Sequence, residues 1–221
     1  MAIDTYAKLQ SEILDTLNRT DLVADITEYS PGTIDGAVIR GISKAERRIV
    51  RRLRTREFET STTFNLTANL ETSTIPSDFL MAKSFILTSS PQVVLTSKDM
   101  TQLITDQPST VAGQPTAFSS YGTSFYFRKI PDSAYAAKLF YYYQPTALST
   151  TNTSNILLTK YPDLLLYGAL IELTAHVEED DRIQLWKGAF DEGIKDITDD
   201  NTLNRWSGVP LRGAIDQRLV I

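Results

Sequence analysis

Residues 47–66 read RRIVRRLRTREFETSTTFNL, and a change of period inside this stretch decides the fold. Up to Arg54 the apolar residues recur every three or four positions. Val38, Ile42, Ala45, Ile49 and Leu53 form one stripe of a helix that starts near Thr33 or Asp35. Arg40, Lys44, Arg47, Arg51 and Arg54 fall on the opposite face, with Arg48 and Arg52 flanking them. From Glu57 onward the period changes. Eight Ser/Thr stand among residues 60–74, interleaved with aromatics, and the run reads as strands.

Working outward, a first helix is expected from about Thr5 to Leu17, with Tyr6, Leu9, Ile13, Leu14 and Leu17 at helical spacing and Asp4 as its N-cap. Residues 83–89 (KSFILTS) and 91–97 (PQVVLTS) read as two further strands. Residues 97–106 read as a short helix capped by Ser97. The run 123–145, TSFYFRKIPDSAYAAKLFYYYQP, reads as a hairpin turning across Ile130–Ser133. In its second strand Tyr135, Ala137, Leu139, Tyr141 and Tyr143 share one face. After the polar linker 149–155 the chain returns to helix. Pro162 stands in a first turn, and Leu164 to Val177 is apolar nearly all round, as in a sandwiched helix. A second helix carries Ile183, Trp186, Phe190, Ile194 and Ile197 as its stripe.

The fold class is therefore α+β: a helical bundle from N- and C-terminal helices, an inserted antiparallel β-rich domain, and an extended C-terminal tail. The expected divisions are 1–56, 57–150, 151–203 and a tail at 204–221, which ends in the apolar pair Val220-Ile221.

The chain has no cysteine, which excludes disulfides, thiolate metal sites and cysteine nucleophiles. Its longest apolar run, Leu164 to Ile171, is too short to span a bilayer. The N-terminus carries no signal-peptide core, so the chain is read as soluble and cytosolic when made. Charge is polarised along it. Residues 1–56 hold ten Lys/Arg against eight Asp/Glu, whereas residues 161–221 hold six against twelve.

Nucleotide-binding and hydrolase motifs are missing. Glu172 and His176, the only histidine, lie four residues apart and read as a buried polar pair rather than metal ligands. The acids 178–181 read as a solvated helix corner rather than a glycosidase pair. Tyr141-Tyr142-Tyr143 reads as half core and half surface rather than a stacking platform. No cofactor is expected.

The basic helix is the strongest candidate site. Its cations could track phosphates, but nothing interleaved with them reads bases. The acidic 161–221 region offers carboxylates in the same or a neighbouring chain.

Five segments occur in order: 19–26 (RTDLVADI), 41–54 (GISKAERRIVRRLR), 74–87 (TIPSDFLMAKSFIL), 127–145 (FRKIPDSAYAAKLFYYYQP) and 155–194, from NILLTKYPDLLLYGAL to WKGAFDEGI. Together they resemble the head-to-tail adaptor proteins of tailed bacteriophages, particularly short-tailed ones. The resemblance implies a non-enzymatic structural virion protein at the head–tail junction, made in the host bacterial cytoplasm. Such adaptors form a ring, usually of twelve copies, beneath the portal. They extend the DNA channel and receive the tail nozzle or fibres. Packaged DNA would pass through without sequence-specific binding, and no membrane is involved. The protein-facing residues would be Arg40, Lys44, Arg47, Arg51 and Arg54, with Val220 and Ile221 in the tail. The rival readings are a nucleic-acid-binding protein using 40–54 and a virion-associated peptidoglycan hydrolase using Glu172 or the 178–181 acids.

Overall fold

Glu57, where the sequence period changes, is also where the structure changes. The computed structural model of the chain describes residues 3–17, 35–106, 111–173 and 182–206. In chain order the elements are α1 (Tyr6–Leu17), α2 (Asp35–Arg52), a 3-10 turn (Arg56–Phe58), β1 (Glu59–Leu66), β2 (Thr72–Thr74), β3 (Phe79–Leu87), β4 (Val93–Ser97), α3 (Met100–Asp106), β5 (Ala117–Tyr121), β6 (Ser124–Arg128), β7 (Tyr135–Tyr143), α4 (Ile156–Lys160), α5 (Pro162–Leu173) and α6 (Ile183–Trp206). The protein is thus mixed helix and sheet. It divides into two compact units, Met1–Arg56 with Ala147–Ile221, and Glu57–Thr146.

In the first unit α5 is the element around which the helices gather. Its sequence, PDLLLYGALIEL, offers no broad polar face, so it is covered by α2, α6, α1 and α4 in turn. Pro162 opens it, where a missing N–H costs nothing. α1 contributes Leu9, Ile13 and Leu17, all buried. Its cap differs from expectation. The Leu9 N–H bonds the Thr5 carbonyl at 3.0 Å and the Lys8 N–H reaches Thr5 Oγ1 at 3.4 Å, so Thr5 holds the cap. Asp4 instead pairs with Lys8 Nζ at 2.7 Å.

Residues 147–150, expected with the β-rich insert, belong to the helical unit, where the Leu148 N–H is anchored to α2. The helix α6 also outruns its expected end and continues through Asn204 to Trp206. The Thr198 and Thr202 hydroxyls donate to carbonyls one turn back, at 2.8 and 2.9 Å, the back-bond that satisfies a threonine hydroxyl inside a helix.

The second unit is a nearly closed seven-stranded sheet in the order β1-β7-β3-β4-β5-β6-β2. Two expectations fail here. The insert is not wholly antiparallel, because β4 and β5 pair in parallel at Thr96↔Ala117 and Ser97↔Phe118. A parallel pair needs a crossover, and α3 lies in it. Asp99 caps α3, accepting the Thr101 N–H at 3.0 Å; the expected cap, Ser97, is the last residue of β4.

Nor do residues 123–145 form a hairpin. β6 pairs with β5 and β2, while β7 pairs with β1 and β3. Nine-residue β7 runs its length against eight-residue β1 on one side and nine-residue β3 on the other, which leaves no free edge for β6. The chain leaving β6 is also held elsewhere, since the Ile130 N–H bonds the Val111 carbonyl at 3.1 Å. The tight turn instead joins β5 to β6 at Gly122, whose φ of 61° suits a residue without a side chain.

The period-two reading of β7 holds. Ala137, Leu139 and Tyr141 are buried in the core, with Tyr135 and Tyr143 packed against it. The centre of that core is Phe85, fully buried, with the rings of Phe64, Phe118, Phe125 and Phe127 centred 5.4 to 5.7 Å away.

Candidate functional site

The amphipathic stripe of α2 fixes which of its cations face outward. Val38, Ile42, Ala45, Ile49 and Leu53 are all buried, and α5 is the helix they meet. The approach is close because small residues face each other. A Cβ on Gly168 would lie 3.0 Å from Ala45 Cβ and 3.1 Å from Phe190 Cε2. One on Gly41 would lie 3.1 Å from Leu173 Cγ.

With that face fixed, the cations separate into two groups. Arg48 pairs with Glu172 of α5, and Lys44 approaches the same carboxylate at 3.8 Å. Arg52 pairs with Asp191 of α6. Phe190 lies under both guanidinium groups, 5.9 Å from Arg48 Cζ and 5.6 Å from Arg52 Cζ. The flanking arginines therefore take the intrachain carboxylates. Arg47 and Arg51 form the second group. Both are exposed, and among the described residues neither makes an ion pair; Arg51 Nε only donates back to the Arg47 carbonyl at 3.2 Å. Arg40 is half-buried on the same stripe.

Arg54 lies beyond the helix end and is not part of the stripe. Its guanidinium donates to the Val50 and Leu53 carbonyls, the latter at 2.8 Å, so it satisfies orphan carbonyls at the end of α2.

On the other flank sits a residue that the sequence reading passed over. Glu46 is buried to 6 % exposure. Its Oε1 accepts the Leu148 N–H at 3.1 Å and Asn155 Nδ2 at 2.8 Å. Asn155 in turn caps α4, accepting the Leu158 N–H. One carboxylate thus ties the returning chain to α2. The signal was present: an acid one position beyond Ala45 and three before Ile49 cannot lie on the basic face.

Burial pushes the Glu46 carboxyl above the ordinary glutamate value of 4.5, against the downward pull of its hydrogen bonds. Such a group binds its proton more readily folded than unfolded. Its contribution to stability is greatest below 4.5 and is lost as pH rises through the folded value. Glu46→Gln keeps an oxygen acceptor and removes the titration. Denaturant midpoints measured from about pH 4 to pH 7 are expected to fall less steeply with pH in the variant than in the wild type; parallel profiles would count against this role.

Residues 4–214, from the approach to α1 to beyond α6, match the family model described as SU10 adaptor protein. The chain belongs to the SU10 adaptor protein family. No curated protein matches it. The match covers nearly the whole chain and supports a bacteriophage adaptor.

Of the residues considered for hydrolysis in this SU10 adaptor protein, only Glu172 lies within the described residues. Glu172 is tied to Arg48 and Lys44, while His176 and the acids 178–181 lie outside the described residues, as do Val220 and Ile221. Tyr141 and Tyr142 are buried, donating to Asp78 at 3.0 Å and Glu59 at 3.2 Å, so they serve the sheet. Among the described residues no group of three or more His, Asp or Glu is placed to hold a metal ion, and no helix is long and apolar enough to cross a membrane.

Proposed function

We propose that this adaptor is a non-enzymatic virion protein that forms a ring, of about twelve copies, between the portal and the tail nozzle of a short-tailed phage. The helical unit meets the portal, the β-rich unit meets nozzle or fibre proteins, and the ring extends the DNA channel. The family match along residues 4–214 is the observation that carries the adaptor role. The net charge of −5 per chain suits a channel through which DNA slides rather than sticks.

The outward stripe of α2 is the protein-facing surface in this reading. Lys44, Arg48 and Arg52 already meet carboxylates within the chain, which favours protein over phosphate as the partner of Arg47 and Arg51. The double charge reversal Arg47→Glu/Arg51→Glu is expected to leave the unfolding midpoint nearly unchanged, because both side chains are exposed. The same variant should fail to enter phage particles, whereas Arg47→Lys/Arg51→Lys should enter. Normal incorporation of the reversed variant would refute the surface. Binding of duplex DNA with a salt dependence that weakens when these arginines are removed would favour the nucleic-acid reading instead.

A further inference from the structure

On helix α6, Trp186 and Phe190 are buried, and Ile194 and Ile197 are half-buried along the same side. At about 100° per residue, Glu192, Asp196 and Asp199 project from the opposite side. All three are exposed. Among the described residues none of them makes an ion pair, although Lys187 and Lys195 stand on the same helix. Leu185, 71 % exposed, continues this stripe toward the start of α6.

We infer that this stripe is the docking surface for Arg47 and Arg51 of a second copy of the chain. The inference rests on the ring reading and names the contact within it. α2 and α6 both pack on α5, and among the described residues Arg47 and Arg51 make no ion pair with Glu192, Asp196 or Asp199 of the same chain, although Arg52 and Asp191 do pair between the two helices. Their charges are complementary, and neither stripe is neutralised by the intrachain pairs that hold Arg48 and Arg52. A basic stripe on one flank and an acidic stripe on another make a heterologous contact, which closes into a ring when its rotation closes. Exposed ion pairs are individually weak. Repeated around a ring they fix register and orientation, with Leu185 adding apolar contact beside them.

The chain has no cysteine, so introduced thiols report on contact alone. An arginine–carboxylate pair holds its backbones farther apart than a disulfide tolerates, so a short bis-maleimide is the suitable probe. The full-length chain carrying Arg51→Cys and Asp196→Cys, both at exposed positions, would be supplied during phage growth, and purified particles treated with the reagent. A ladder of covalent adaptor multimers is expected, reduced to single bands when either cysteine is present alone. Adaptor in the particles without self-cross-links, or linked only to a different virion protein, would overturn the inference while leaving the adaptor role standing. If the unsubstituted chain does not enter particles either, the ring reading is what fails. The same reagent on concentrated purified protein then decides the contact: a ladder upholds it, and monomer overturns it.

Discussion

Replacing Phe85 by alanine is expected to lower stability by about 3–5 kcal/mol. Phe85 is fully buried on β3, opposite Leu139 of β7 and Leu95 of β4, and four phenylalanine rings surround it. The sheet is nearly closed on itself, so strands on all sides contribute to one filled interior and none can collapse freely into a void. The cavity term should therefore add to the lost transfer free energy. Phe85→Leu retains most of the apolar volume and should cost less than half as much. Denaturant titrations followed by far-ultraviolet circular dichroism measure both, and a loss below about 1 kcal/mol for the alanine variant would show that the rings do not form the core described.

Gly168→Leu is the second large effect, and here the cause is crowding. A first side-chain carbon at this position would already stand 3.0 Å from Ala45 Cβ on α2. Ala45 has no rotamer by which to move away. Phe190 Cε2, at 3.1 Å on α6, could yield only by turning its ring from beneath Arg48 and Arg52. Overpacking of this kind typically costs about 1–3 kcal/mol and occasionally more. Gly168→Ala should lie at the low end and Gly168→Leu at or above the high end. Trp186, buried on α6, makes fluorescence a direct reporter of the loosened helix. A leucine variant with the wild-type unfolding midpoint would mean that the helices can separate without penalty.

The α2 stripe was legible because one helix fixes its own faces: the five apolar residues named from spacing are all buried, with Ala37 and Val50 beside them. Which flank of the basic face meets acids was not legible, since it depends on where α5 and α6 lie. Arg48 and Arg52, which looked peripheral, therefore hold ion pairs, and among the described residues Arg47 and Arg51 make none. The same distinction explains the sheet. The alternation in β7 is local and was read correctly. Its partners are not local, and Thr60 faces Tyr141 across more than half the sheet-forming unit. Proximity in sequence suggested β6 as the partner, but both edges of β7 are taken by β1 and β3. The parallel β4–β5 pair was hidden for a related reason, because β5 is short and its residues AFSSY carry little strand signal.

Glu46 was missed because a carboxylate beside a run of arginines invites a surface reading. Its partners, Leu148 and Asn155, lie about a hundred residues away.

The role proposed for this family member, at the junction of head and tail with Arg47 and Arg51 turned toward protein, is open to electron cryomicroscopy of the purified phage junction. The expected result is this chain as a ring between portal and tail, with both arginines against carboxylates of a neighbouring subunit. A junction without the chain, or one in which these arginines contact packaged DNA, would contradict it.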